Sequence, residues 1–370
     1  TLKERKQVIF LLFMISVMAF LDMIGVASIL PFMAVLSNPE IIEANIVLSK
    51  MFMFFKIFGV ENNQQFLFAL GILVFVLLVI SLTFKAFTAY AQVRFSQMRQ
   101  YSISKRLVEG YLNQPYGWFL NKHSADLGKN VLSEVGQVVA GGITPLITLI
   151  TNIIVAAALI GLLVLVDPKL AFVAAFSLSL AYIIIYKFVR KYLDKIGKER
   201  FFNNQMRFTA ISDAFGAAKE IKVSGLEQTY IKRFSAPAQI FAHNQASASI
   251  IRQLPRYALE AIAFGGVILM ILYLILKSGS FNNALPIISL YVFAGYRLMP
   301  ALQQIYGSYT QLTFVGPSLD ALSYDLKNLT SFKSNNDQSI MLLDKTIVLK
   351  NICYNYPNAS RTALKDINLN

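Results

Sequence analysis

Six stretches of the chain are apolar over a length that a membrane-spanning helix needs. A helix requires roughly 20 apolar residues to cross the hydrocarbon core of a bilayer. The stretches are residues 8–36, 66–90, 143–166, 171–188, 257–276 and 285–314. The chain has 56% hydrophobic and 15% charged residues, whereas soluble domains are about 25% charged. The sequence therefore predicts an all-α polytopic membrane protein with six long transmembrane helices; it excludes a disordered chain and argues against a soluble globular enzyme.

The charges between these spans predict their orientation. The chain carries 34 Lys and Arg against 20 Asp and Glu, a net charge of +14. Basic residues concentrate near the N-terminus and in the long segments after the second and fourth spans, whereas segments 37–65, 167–170 and 277–284 are short or charge-balanced. Because basic residues collect in cytoplasmic loops, we expect both termini and both long segments to be cytoplasmic. A basic excess also suits nucleic acid, but so apolar a chain favours a membrane, and no nucleic-acid partner is expected.

The long segments after the second and fourth spans have residue patterns that are typical of helices. An amphipathic pattern over Gln92–Leu112 is interrupted at Pro115–Gly117, a helix-breaking turn. The second segment is helical to about Phe208 and again from Glu227, and the chain is expected to reverse at Ser212–Gly216. The sequence predicts two helical hairpins that extend into the cytosol. The alternative is separate helices that lie on the lipid headgroups.

The composition changes after the sixth span. Residues 331–345 form a polar connector, and Ile347–Tyr356 reads as a β-strand that ends in a turn at Pro357–Asn358. A second strand is predicted at Ala363–Leu369. Because two short strands do not form a stable sheet alone, we expect residues 346–370 to begin a second, soluble α/β domain after a membrane domain of residues 1–330.

The closing segment LKNICYNYPNASRTALKDINLN resembles the opening of an ABC nucleotide-binding domain, and the chain as a whole resembles the transmembrane half of a bacterial ABC exporter. In that family an aromatic residue before a Pro-containing turn stacks on adenine, and Tyr356 occupies this position. Local packing of Tyr356 at the strand end is the alternative. The resemblance implies ATP with Mg²⁺ as cofactor. The 370 residues contain no G-x-x-x-x-G-K-[ST] phosphate loop, so no catalytic residue is expected within them.

Both long segments also resemble the cytoplasmic loops of these exporters, whose tips form coupling helices that dock on the nucleotide-binding domains. The matching sequences are YLNQPYGWFLNKHSADLGKNVLSEV (111–135) and AFGAAKEIKVSGLEQTYIKRF (214–234). The resemblance implies coupling contacts from Phe119, Leu120, Ser124, Ala125, Asp126, Phe215, Gly216, Lys219 and Glu220. Lys219 and Glu220 could equally be solvated surface charges.

A narrower likeness concerns the cargo. PRYALEAIAFGG (255–266) and AGYRLMPALQQIYGSY (294–309) resemble flippases of polyprenyl-pyrophosphate-linked oligosaccharides and related polysaccharide exporters. This implies a homodimer in the bacterial inner membrane, with membrane lipids and a lipid-linked glycan as partners. Export of another lipid, a peptide or a drug is the alternative within transport. An integral membrane enzyme or a channel is the alternative of another class.

Five ionisable residues within or at the ends of the predicted spans stand out, because a charge costs roughly 2.5–3.5 kcal/mol at the helix centre: Asp22, Lys85, Arg256, Glu260 and Arg297. Arg256 and Glu260 could pair at i,i+4, and Lys85 and Arg256 could reach the headgroups. Three cations against two acids suit a pyrophosphate. Arg297, which precedes Pro300, is the leading candidate for a substrate cavity, with Arg256 and Lys85 beside it. No metal site is expected, because the chain has one Cys and two His.

The first prediction concerns the gene. We expect the reading frame to continue beyond Asn370 into a phosphate loop, an LSGGQ-like signature and an Asp-Glu pair. Sequencing the gene past this codon checks the prediction. A frame that stops there, or that encodes a domain unable to bind a nucleotide, would contradict it.

Overall fold

Long helices form most of the chain. The computed structural model describes residues 2–57, 59–120, 122–278, 281–329, 346–355 and 362–369. The helices are α1 (Leu2–Ala27), α2 (Ile29–Ser37), α3 (Ile41–Ala44), α4 (Ile46–Lys56), α5 (Asn63–Leu112), α6 (Tyr116–Phe119), α7 (Ser124–Lys129), α8 (Val135–Val138), α9 (Thr144–Val166), α10 (Pro168–Gly216), α11 (Ala218–Ser224), α12 (Glu227–Ser278) and α13 (Phe281–Asn328). Two π-helical segments, Asn130–Glu134 and Val139–Ile143, lie on either side of α8.

Three helical stretches of the described residues are long and apolar enough to cross a membrane: Glu4–Ser37, Asn63–Leu112 and Ser124–Val166. Only 22% to 33% of the most apolar window of each stretch is buried inside the protein. The remaining apolar side chains face outward, where lipid rather than water is the compatible surrounding. The other three predicted spans lie within α10, α12 and α13.

Several predicted boundaries are confirmed. The helix over Gln92–Leu112 is the continuation of α5, and the break at Pro115 separates it from α6. The turn between the third and fourth spans is Asp167, whose side chain accepts a hydrogen bond from the backbone N–H of Lys169 at 3.0 Å. Because Pro168 begins α10 immediately, α9 and α10 are joined with almost no loop.

The chain reversal after α10 lies later than predicted. We expected it at Ser212–Gly216, but α10 stays helical to Gly216 and α11 follows after one residue. The left-handed residue that ends α11 is Gly225, with φ 66°, a conformation that glycine adopts at no steric cost. The start of α12 at Glu227 agrees with the prediction.

Segment 37–65 contains two helices that the sequence did not reveal. Asn45 caps α4 by accepting from the backbone N–H groups of Val47 and Leu48. Leu48 is buried in a cluster with Phe66 and Leu70 of α5. The apolar face of α4 is therefore stabilised by packing on α5, a tertiary contact that local charge balance does not show.

Two apolar clusters hold the bundle together. The larger one joins α1, α9, α10 and α13, and its fully buried centre includes Leu159 and Leu290. The second joins α5, α8 and α13 around Leu107, Val135 and Leu322. Since α13 contributes to both clusters, it connects them.

The two predicted strands are confirmed as an antiparallel pair, β1 (Leu349–Tyr354) and β2 (Leu364–Leu369), with Ile352 opposite Ile367. Tyr356, the turn at Pro357–Asn358 and the connector up to residue 345 lie outside the described residues. Nearly every described residue of both strands is exposed.

Candidate functional site

A polar cavity of about 500 Å³ opens between α9, α12, α13 and the second π segment. Its lining contains four glutamines and two arginines, and the acidic Glu260 beside it is bonded to one of these arginines. The lining residues are Ala140, Thr144, Pro145, Thr148, Arg252, Gln253, Pro255, Arg256, Tyr257, Gln303, Gln304, Tyr306, Gly307, Ser308 and Gln311. The cavity thus combines fixed positive charge with neutral groups that both donate and accept hydrogen bonds.

Both cations of the cavity come from α12. Arg252 and Arg256 are four residues apart and so lie on one helical face. Arg252 passes close to Gly307 of α13, where an added Cβ would lie 3.2 Å from Arg252 Cγ. Because Gly307 has no side chain, the aliphatic part of Arg252 has room to lie against α13.

Arg256 forms the i,i+4 pair that the sequence offered as an alternative. Its Nε donates to Glu260 Oε1 at 2.7 Å, and both side chains are substantially exposed. An exposed pair of this kind is weak because water screens it. The pairing with Glu260 therefore holds the Arg256 side chain only weakly.

Arg297 is placed differently from the expectation that it is the leading cavity cation. Its Nη1 donates to Asp22 Oδ1 at 3.0 Å, and Ser81 Oγ donates to the same oxygen at 2.5 Å. Asp22 is 1% exposed, and a buried carboxylate demands such a partner. This ion pair joins α1, α5 and α13, while Lys85 is exposed on α5 and, like Arg297, is not among the described residues that line the cavity.

A repeat of polar residues along α13 is the sequence signal that could have located the cavity and its neighbouring polar contacts, and it was missed. Polar residues recur every seven positions along α13, at Arg297, Gln304, Gln311, Ser318 and Asp325. Seven residues are close to two helical turns, so these side chains follow one slowly rotating face. Arg297 meets Asp22, the two glutamines line the cavity, Ser318 accepts from a buried arginine, and Asp325 accepts from Tyr111 and Asn130.

The predicted coupling residues lie at the two loops that connect α5 to α9 and α10 to α12. In the first loop Phe119 packs edge-on against Trp118, with ring centroids 5.1 Å apart; Leu120 and Ser124 are exposed, and Ala125 and Asp126 are half-buried. In the second loop Phe215 is 77% exposed, and Gly216, Lys219 and Glu220 are exposed beside it. An exposed phenylalanine at a loop tip is the kind of group that a partner surface covers.

The pattern of long helices, buried membrane charges and paired loops is that of an ABC exporter transmembrane domain. Residues 7–298 match the ABC transporter transmembrane region, so the chain belongs to this family. A solved bacterial structure, described as an Atm1-family ABC exporter with ATP bound, is similar in fold, with a TM-score of 0.65 at 12% sequence identity. The match covers 99% of this chain and 61% of the other. This chain therefore spans about three fifths of that protein's length.

The ion pair of Asp22 with Arg297 generates a prediction about stability. Asp22→Asn and Arg297→Gln each leave the other charge buried without its partner, and we expect each to lower the unfolding free energy by about 3–5 kcal/mol. The double variant should lose less than either single variant, because both charges are removed together. Thermal unfolding in nanodiscs measures these losses, with Arg106→Gln, an exposed arginine of α5, as control. Additive losses in the double variant would show that the two residues act independently.

Proposed function

We propose that this chain is the transmembrane half of an ATP-driven exporter that moves an amphiphile with an anionic polar head across the bacterial inner membrane. The cargo that we propose is a lipid-linked oligosaccharide or a related polysaccharide precursor. The observation that carries the proposal is the cavity whose lining contributes two arginines, of which Arg256 pairs with Glu260 and Arg252 adds a second positive charge. The lining also holds Tyr257 and Tyr306, but its two arginines would repel a cationic drug.

The charge of the cavity suits a pyrophosphate. Arginine binds phosphate oxygens through two parallel hydrogen bonds and keeps its charge when water is removed. Arg252 and Arg256 stand four residues apart on α12 and can contact neighbouring phosphates of one diphosphate. This assigns the capture of the head to Arg252 and Arg256; Lys85, Glu260 and the Asp22–Arg297 pair remain candidate residues of the pathway outside the cavity.

The neutral groups of the cavity suit the sugar that follows the pyrophosphate. Gln253, Gln303, Gln304 and Gln311 offer amide donors and acceptors, and Thr144 and Thr148 add hydroxyls. A sugar presents hydroxyl groups that need both kinds of partner when they leave water. The polyprenyl tail would stay in the lipid beside the helices while the head occupies the cavity.

We infer the use of ATP and the dimeric state from membership of the family. The similar Atm1-family structure holds ATP, which supports ATP use here, with Mg²⁺ and with Tyr356 as the adenine-stacking residue. One half-transporter would supply half of the pathway, so the working unit is a homodimer with both termini in the cytoplasm. Closure of two nucleotide-binding domains would be transmitted through the exposed loops around Phe119 and Phe215.

The substitution of both cavity arginines tests the proposal. In the full-length protein in vesicles, Arg252→Gln/Arg256→Gln should slow the flipping of a lipid-linked pyrophosphate oligosaccharide by about tenfold or more, since each charge-assisted hydrogen bond contributes about 1.5–3 kcal/mol. Basal ATPase activity should stay within about twofold, because the nucleotide site is elsewhere. Arg106→Gln serves as the matched control.

Two outcomes would overturn the proposal. One is normal flipping by the double variant. The other is a wild-type ATPase that is stimulated by a cationic drug or a peptide and not by the lipid-linked pyrophosphate, which would favour the alternative cargoes.

A further inference from the structure

A buried polar network joins three helical segments at the end of the bundle that carries the two loops. We call Glu134, Arg200, Asn204 and Ser318 the Glu134 network. Arg200 Nη2 donates to Glu134 Oε2 at 2.9 Å and to Ser318 Oγ at 2.6 Å, and Asn204 Nδ2 donates to Glu134 Oε1 at 2.6 Å. All four residues are at most 2% exposed. Glu134 ends the first π segment, Arg200 and Asn204 belong to α10, and Ser318 belongs to α13.

Aromatic rings complete the surroundings of the buried guanidinium. The Arg200 Cζ atom lies 5.8 Å from the ring centroid of Phe241 on α12 and 5.9 Å from that of Phe314 on α13. Burial lowers the pKa of Arg200, and the nearby carboxylate of Glu134 opposes this shift. The buried charge of Arg200 is compensated by contacts from other helical segments, so separation of those segments would expose it to water.

The backbones of α10 and α13 touch one turn before the network. A Cβ added at Gly197 would lie only 2.5 Å from the carbonyl oxygen of Phe314. Without a side chain at Gly197, α10 comes close enough for Arg200 to reach Ser318. The close approach and the network are therefore formed together or lost together.

The energetics favour an interface that opens. A buried ion pair is often no more stabilising than a well-packed apolar pair of similar volume, because both charges lose their hydration. When the interface separates, the two charges regain that hydration, whereas apolar faces would be exposed at a cost. A polar network thus defines one closed packing of the helices while the free energy of the open arrangement stays close to that of the closed one. A π segment, which is common at functional sites, places Glu134 at this contact.

We propose that the Glu134 network is a conformational latch that holds α10 against α13 and the first π segment, and that opens during the transport cycle. Glu134, Arg200 and Ser318 are then positioning residues that set the ratio of closed to open protein. This rests on the proposed function only in that a transporter must alternate between two arrangements.

A single buried cysteine reports the opening. Ile196 is buried on α10 in a cluster with Ala248 of α12 and Phe314 of α13, so Ile196→Cys reacts with a water-soluble maleimide when α10 separates from these helices. The experiment uses the full-length protein in nanodiscs with all native cysteines replaced, including the exposed Cys353. The labelling rate is then proportional to the open population.

The latch predicts opposite effects for single and double variants. Glu134→Gln and Arg200→Met should each raise the labelling rate about tenfold or more, because each leaves a buried charge unpaired. Glu134→Gln/Arg200→Met should return the rate to the wild-type value or below it, since no charge remains buried. A purely structural ion pair would show the same rescue, so the labelling is repeated with ATP and Mg²⁺: the wild-type rate should respond to ATP and the single variants should lose most of that response, whereas variants of a merely stabilising pair would keep it. Unchanged rates in folded single variants would overturn the latch, as would a double variant that labels faster than both.

A glycine pair decides the question if the charge variants do not fold. Gly197→Ala should force α10 away from Phe314 and raise the labelling rate of the Ile196→Cys reporter. Gly316→Ala on α13 should leave that rate unchanged, because no atom lies within 4 Å of the added methyl group. Equal rates in both variants would overturn the latch. If the cavity variants flip substrate normally while these rates respond, the headgroup proposal fails and the latch stands; the reverse pattern overturns the latch alone.

Discussion

Ionisable groups buried among apolar helices must find their partners inside the protein, and this constraint organises the bundle. Lipid offers no hydrogen bonds, so an unpaired carboxylate such as Asp22 would be costly. Arg297 and Ser81 supply its partners from two other helices. Glu134 and Arg200 form a second buried ion pair, at the end of the bundle that carries the two loops. Each ion pair fixes the helices that contribute to it in one register.

Helix α13 contributes one residue to each of these two sites, Arg297 beside Asp22 and Ser318 beside Arg200. Its polar residues, seven positions apart, begin with Arg297, continue through the glutamines of the cavity and end with Ser318 and Asp325. The cavity therefore lies on the same helix as the membrane ion pair and the Glu134 network. A displacement of α13 that opens the network would also move one wall of the cavity, which links the proposed head-binding site to the proposed latch through one continuous helix.

Local sequence features predicted much of the fold, whereas pairing across the bundle was not predictable from them. Apolar length identified the helices, and Asp167–Pro168 identified the turn because turn chemistry is local. Arg297 was recognised as unusual, but its partner Asp22 lies 275 residues earlier in the chain. Arg252 was missed because it precedes the predicted span and resembles an ordinary loop cation. Helix α4 was missed because its stability comes from packing on α5.

The central claim is that an anionic head binds between α12 and α13 at Arg252 and Arg256. A structure of the full-length protein in nanodiscs with a lipid-linked pyrophosphate oligosaccharide tests it most directly. We expect phosphate density within hydrogen-bonding distance of both guanidinium groups, with the sugar among the cavity glutamines. Phosphate density at another place in the bundle, with this cavity holding only water, would contradict it.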